Sequence, residues 1–357
     1  MNNSSAVMQK RNHSIDGKSV YRKINQKRKI IFFSILASML VGLIIDVMVG
    51  PAWLSISDVI NAIKQGPDAK GLSIAIVWSV RLPMTMTCIC VGASLGMAGT
   101  QMQTILGNPL ASPYTLGISA AAGFGAALAY LTGFPVKNAL WISVPLSAFI
   151  MSCAACLTMY ILGKIKGIDS KTMVLFGIVI NFFFQALQSL IQFSATPEVA
   201  QEIVFWMFGS LLKSTWTGVV VSGVIFITGS LVLSRYAWKL TSLSAGEERA
   251  RSLGVNTDKL RLHVFIISAV LTAGAVAFVG TIGFIGLVAP HFARLLVGED
   301  QRYLSPLSAL FGALLMLTAS IIAKIVVPGI IVPIGIVTSL VGVPFLLYLI
   351  LRRSEVR

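Results

Sequence analysis

Several groups of residues in this 357-residue chain have types and spacings that could do chemistry. Cys153 and Cys156 form a CxxC, the spacing of redox dithiols and thiolate metal ligands. No His or further Cys stands near it in the sequence, and both residues lie in an apolar run, as do Cys88 and Cys90. Packing explains all four better than a metal site or a disulfide framework does. Ser170, Lys171 and Thr172 look like the end of a phosphate-binding loop, but the glycines that cradle phosphate with backbone amides are missing. His291 and Arg294 stand three apart and could make a site. Near a cytoplasmic helix end they are better read as facing headgroups or the helix carboxyl terminus. No nucleophile, base and orienting acid occur together, and Asp46 is the only carboxylate in the apolar part of a span. No enzymatic step, metal or cofactor is expected of this chain.

Two polar features remain. Asn181, Gln185, Gln188 and Gln192 follow at spacings of four, three and four, which puts four amides on one helical face. Such a stripe serves either interhelical hydrogen bonding or the wall of a hydrated pathway, and the spacing fits both. The second feature is the polar island at 241–263, with seven charged residues in an otherwise apolar chain. Glu247, Glu248, Arg249, Ala250 and Arg251 precede Gly254, an order that predicts a short helix over about 245–253 closed by a left-handed glycine. That helix is too short and too polar to fold alone. It is either an ordinary solvated loop or an element that docks on something.

The elements that hold these residues are membrane helices. With 56% hydrophobic and 11% charged residues, and a mean hydropathy of +0.85, the chain cannot present the polar surface of a soluble protein. A net charge of +15 then reflects Lys and Arg kept in cytoplasmic loops and not a nucleic-acid partner. Residues 1–29 are polar and basic, and the apolar run from Ile30 to Gly50 is long enough to span, so an uncleaved first helix fits better than a signal peptide. Further spans are predicted at about 82–106, 113–131, 139–163, 172–193, 217–234, 262–282, 284–297, 304–327 and 331–351. The eighth is short and carries Pro290. An even count puts both termini on one side, and in that arrangement 22 of the 28 Lys and Arg residues fall inside. Lys64, Lys70, Arg81, Lys137, Lys213 and Lys324 fall outside. Gly92, Gly96 and Gly99 on the second span, and Gly117, Ala121 and Gly125 on the third, mark close-packing faces.

Five stretches, in order, carry a resemblance: RLP at 81–83, NPLASP at 108–113, Glu248-Arg249-Ala250 followed by Gly254, GFIGLVAPHFARLLVG at 283–298, and PIGIVTSLVGVPFLLYLI near the C-terminus. Together they resemble the permeases that import iron siderophores, haem and vitamin B12, the FecCD-type transmembrane subunits of ABC importers. The resemblance implies an all-α polytopic membrane protein of the importer permease fold, with ten helices and a transmembrane domain over 30–351. It also implies a basic cytoplasmic segment at 1–29, a coupling loop at about 239–261 and a cytoplasmic tail at 352–357. The implied partners are cytoplasmic ATPase subunits, an extracytoplasmic binding protein, a second permease subunit and membrane lipid. The implied location is the bacterial cytoplasmic membrane.

The resemblance also implies roles for residues. The glutamate-alanine-alanine-glycine signature, with Arg249 in place of its first alanine, puts ATPase coupling at Glu247, Glu248, Arg249, Ala250 and Gly254. The fifth and tenth helices line the pathway in this family, which selects Asn181, Gln185, Gln188, Gln192, Thr338 and Ser339. Arg81 and Lys324 stand where the family places arginines that meet acidic residues of the binding protein. Met84 occupies what is often a second arginine, and Lys324 keeps the charge but loses the bidentate fork. Lys324 could instead snorkel to headgroups. The function expected is a non-catalytic permease subunit carrying a ferric siderophore, with haem or cobalamin as the alternative cargo. Co-purifying ATPases would separate this reading from an ion-coupled transporter, and a membrane-embedded enzyme would need a buried reactive cluster that the sequence does not show.

Overall fold

The computed structural model describes residues 17–166 and 170–354, so the start of the basic leader, residues 167–169 and the tail after Ser354 lie outside the described residues. These residues form helices joined by short turns. In chain order they are α1 (Gly17–Met48), α2 (Ile56–Gln65), α3 (Leu72–Ile76), α4 (Leu82–Leu106), α5 (Ile118–Thr132), α6 (Leu140–Lys166), α7 (Ser170–Ser194) and α8 (Pro197–Met207). Then come α9 (Trp216–Ser234), α10 (Ala237–Ser244), α11 (Glu247–Ser252), α12 (Thr257–Val279), α13 (Ile285–Val297), α14 (Gln301–Ile325) and α15 (Ile334–Ser354). A π-helical turn, Val77–Arg81, joins α3 to α4.

Among the described residues, seven stretches are long and apolar enough to cross a membrane, and α5, α13 and the Ile334–Leu347 part of α15 are shorter apolar helices, which together match the ten spans expected. The structure departs from the sequence reading in boundaries and in added helices. The second span begins at Leu72 rather than near 82, because the helix passes through the π turn without breaking. Short helices α2 and α8 fill stretches that hydropathy alone left as loops.

Helix α4 is the centre. Every residue from Leu82 to Leu106 is buried except Met86, Ile89 and Cys90. It packs against α9, α12, α13 and α14. Its glycines make this close approach feasible, since lipid supplies no hydrophobic drive between helices and backbones must touch to gain dispersion energy. A Cβ at Gly92 would fall on the Gly312 carbonyl of α14, one at Gly96 on the Ser308 carbonyl, and one at Gly99 on Gly286 of α13. The predicted face on α5 works the same way, with Gly125 against the Ser147 backbone of α6. Gly107, in the left-handed conformation (φ 56°), ends α4 and returns its N–H to Gln103 and Thr104.

Helix α1 lies outside this core, along α14. Polar contacts hold it at both ends. At one end Arg28 donates to Asp300 (3.1 Å) and to the Val297 carbonyl (2.9 Å), with its guanidinium over the Tyr303 ring. At the other, Asp46 pairs with Lys324.

Gly312→Val should cost about 1–3 kcal/mol or more by forcing α4 and α14 apart, and Gly223→Ala should be nearly neutral, because its new methyl meets only the Cys90 sulfur at 3.7 Å. Thermal unfolding in detergent checks both. Equal Tm values for the two variants would show that the α4–α14 contact does not limit stability.

Candidate functional site

The polar island folds as two short helices, α10 and α11, ahead of α12. Glycines set its corners: Gly246 (φ 119°) opens α11 and Gly254 (φ 78°) follows it, both with open space around them, so conformation and not crowding requires glycine there. Asn256 caps α12, its side chain accepting from the Lys259 N–H. The five predicted coupling residues divide between two faces. Ala250 is fully buried and belongs to the same cluster as Leu240, Leu243, Leu260 and Val264. Glu247 also turns inward, whereas Glu248 and Arg249 are exposed beside Leu253.

Glu247 is the hub of the loop. Its Oε2 lies 2.7 Å from Arg261 Nη2, and its Oε1 accepts from Arg251 at 2.8 Å and from the Thr257 hydroxyl at 3.3 Å. Arg261, in the first turns of α12, is 7% exposed and sends its Nε to the Ile105 carbonyl at 3.0 Å. It therefore satisfies a free carbonyl at the C-terminus of α4 with the same guanidinium that holds the loop. The hydrogen bond from Arg261 lowers the Glu247 pKa; partial burial pushes the other way, and the Arg261 charge, Thr257 and Arg251 lower it further.

More amides continue this layer inside the bundle. Gln103 accepts from Arg294 at 2.8 Å, Gln301 donates to Thr104 at 2.8 Å, and Gln101 donates to Ser305 at 2.8 Å. The Gln301 N–H reaches the Thr241 hydroxyl of α10 at 3.0 Å. Of the two settings expected for Arg294, headgroups or the helix carboxyl terminus, it takes the second, in the last turn of α13. It is paired with Glu299 at 2.7 Å and bonded to α4. His291 instead meets the edge of Phe345.

The amide stripe of α7 also divides. Gln185 donates to Asn181 at 2.8 Å, with Gln185 exposed and Asn181 half-buried. Gln188 is buried against α5, where a Cβ at Gly123 would meet its Oε1 at 2.6 Å, and it donates to the Met207 sulfur. Gln192 is half-buried. Thr338 is buried and bonds its own helix at the Gly335 carbonyl (3.1 Å), while Ser339 is half-buried beside Gly283.

Arg81 and Lys324 are not the exposed rim charges that docking was expected to use. Lys324 Nζ lies 2.7 Å from Asp46 Oδ1, with both side chains fully buried, and donates to the Asp46 carbonyl at 2.7 Å. Thr85 donates to the other carboxylate oxygen at 2.5 Å. Arg81 is 3% exposed and caps the end of α1 through the carbonyls of Val49 (2.6 Å) and Ala52 (3.2 Å). The charge tally places both correctly near one end of the bundle, but a tally cannot see that Asp46 and the end of α1 absorb them. Snorkelling of Lys324 is excluded by the same contacts.

The sequence pattern of the FecCD transport family matches residues 38–352. The chain belongs to that family. Among curated relatives, MJ0087 of Methanocaldococcus jannaschii, assigned as an ABC transporter permease, is 37% identical over 92% of this chain and 97% of its own. A Helicobacter pylori protein assigned as an iron chelatin transport permease is 36% identical over 83% and 88% of the two chains. The cobalamin import permease BtuC of Halobacterium salinarum is 36% identical over 79% and 74%. Among solved structures, one in an inward-facing conformation, assigned to the metal-chelate type of ABC transporter, superimposes with a TM-score of 0.80 at 30% identity, over 91% of this chain and 99% of that one.

Family membership and the helices agree on a multi-pass membrane permease. What sequence reasoning missed in this FecCD chain are the partners: Arg261 for Glu247, and Asp46 for Lys324. Asp46 had the one available signal, as a lone carboxylate in an apolar span.

Two outcomes are expected. Asp46→Asn should destabilise the protein by about 3–5 kcal/mol by stranding the Lys324 ammonium, while Asp46→Asn with Lys324→Met should recover most of the loss. Detergent unfolding midpoints that fall equally for the single and double variants would contradict this. For Glu247, whose folded pKa is lowered, the stabilisation is present above the ordinary carboxylate pKa and is lost as pH falls through the folded value. Protection factors for hydrogen exchange at 245–261, taken against the intrinsic rate at each pH, should therefore be high at neutral pH and fall once pH drops below the ordinary carboxylate range, and Glu247→Gln should lower them at neutral pH.

Proposed function

We propose that this chain is the transmembrane subunit of an ABC importer for a ferric siderophore, working by alternating access driven by ATP hydrolysis in partner subunits. The observation that carries the reading is the coupling loop. An exposed face of Glu248, Arg249 and Leu253 sits on a helix whose inner face is tied, through Glu247 and Arg261, to the end of α4. An ATPase that grips the outer face would thereby move the central helix. The ATPase pair and a second permease subunit complete the transporter, and an extracytoplasmic binding protein delivers the cargo. The N- and C-termini are cytoplasmic on the distribution of Lys and Arg.

The exposed side of α7 at Asn181 and Gln185 forms the pathway wall, continued by Ser339 of α15. Gln188, Gln192 and Thr338 stand behind it and set its shape. Support for the ferric chelate comes from the iron chelatin relative and the metal-chelate type of the matched structure. Cobalamin is the second reading, because a cobalamin permease is equally similar, at 36% identity. Haem shares the alternative on the family resemblance.

The test is transport in vesicles containing the permease, its ATPase and its binding protein. Uptake of a radio-iron siderophore is expected, undiminished by excess haem or cobalamin. Gly254→Val should abolish uptake while ATP hydrolysis continues, because a β-branched residue disfavours the left-handed turn that ends α11. Undiminished uptake by that variant would remove the coupling role, and haem or cobalamin uptake in place of iron would reassign the cargo.

A further inference from the structure

Helix α2 has ten residues, about 15 Å of helix, and cannot cross a bilayer. Its sides differ in character. Val59 and Ala62 are buried against Val47 of α1 and against Ile74, Val77 and Leu82 of the α3–α4 stretch. Ser57, Asn61, Lys64 and Gln65 share the roughly opposite side. Beside the buried face runs a stripe at i, i+4 and i+7: Ile56, Ile60 and Ile63, exposed by 56%, 45% and 49%. Trp53 and Leu72, still more exposed, flank the segment.

The neighbours of the buried face fix the depth of this helix. Leu43 and Val47 belong to the membrane-spanning run of α1, which ends at Met48, and Met86 belongs to α4. Helix α2 therefore runs alongside the last turns of α1 and the first turns of α4 instead of standing above them. Trp78 holds it there by donating to the Ala62 carbonyl at 2.9 Å. At that depth an isoleucine stripe meets either hydrocarbon or protein. Leu40, Val41 and Ile44 on α1, the candidate span with the smallest share of residues buried inside the protein, are exposed as well. Lys64 lies at the polar edge of the stripe and Lys70 follows in the loop, both exposed, where a phosphate layer would sit.

We propose that α2 is an interfacial helix seated in the leaflet at the Met48 end of α1. Ile56, Ile60 and Ile63 lie among acyl chains, Trp53 lies at the boundary, and Lys64 lies at the lipid phosphates. The partner is phospholipid, and the inference does not depend on what the permease carries.

The wild-type full-length chain tests this in vesicles of phosphatidylethanolamine and phosphatidylglycerol doped with a phosphatidylcholine bearing a diazirine in its acyl chain. After irradiation, mass spectrometry should find adducts on 53–63 at a yield comparable to that on 40–44 of α1. Labelled α1 with unlabelled 53–63 overturns the proposal. So does loss of the 53–63 adducts when the binding protein is added, which would make the stripe a docking surface. Spin labels at Ile60→Cys and Asn61→Cys, in a chain with its four cysteines replaced, give a second readout. Collisions with oxygen relative to a nickel chelate should be several-fold higher at 60 than at 61. Nickel-favoured collisions at 60, or shielding from both reagents, would place the stripe in water or against a second subunit and would equally overturn it.

Discussion

Backbone contact between helices is the constraint on which this fold depends. In a bilayer, moving a leucine from lipid to a helix interface gains little, so association rests on dispersion at very short range and on polar contacts. The structure meets that condition at one place above all, where α4 crosses α14 at Gly92, Gly96 and Gly312 and meets α13 at Gly99 and Gly286. Because α4 is enclosed on nearly every side, its polar residues must be satisfied within the protein. Thr100 and Thr104 bond back to carbonyls of their own helix, and Gln101, Gln103 and Thr104 find partners on α13 and α14.

Charge is used sparingly and at the ends. A buried ion pair is a weak source of stability, since desolvation consumes most of the Coulomb gain, but it penalises every arrangement that separates its members. The Asp46–Lys324 pair and the Arg81 cap fix one end of α1 against α14 and the π turn, while Arg28 with Asp300 fixes the other. A helix that packs on essentially one neighbour is thereby held in register at both ends.

The helix count, the glycine faces and the left-handed position of Gly254 were legible in the sequence, because each depends on local composition or on period. Residues such as Ala250 and Gly125 could be placed on a helix from spacing alone. Pairings were not legible. Arg261 and Ile105 are 156 residues apart, and Asp46 and Lys324 are 278 apart. Nothing in local sequence says that an arginine counted as a loop charge will close the end of a distant helix. The same gap explains the error over Arg81 and Lys324, since a hydropathy reading treats a cation near a span end as water-facing unless its counter-ion is known. The amide stripe is a different case: the period places the four amides along one helix, but whether each meets protein or open space depends on where α5 and α8 pass.

These separate features have one mechanical consequence. A displacement applied at α11 can be absorbed where it is applied, or it can be passed on. Absorbing it would require Ala250 to leave its cluster and Glu247 to abandon Thr257 and Arg261, or else Arg261 to follow it and leave the carbonyl of Ile105. Passing it on costs less, because α4 and α14 are locked by backbone contact and tilt as a unit. The close backbone contacts described for α7, at Gly177 and Asn181, are with Leu116 and Gly117 ahead of α5, and its Phe182 and Phe183 are exposed. On the importer reading, the hinge between inward and outward states therefore lies between the α4–α12–α14 body and α7, where sliding disrupts the fewest fixed contacts.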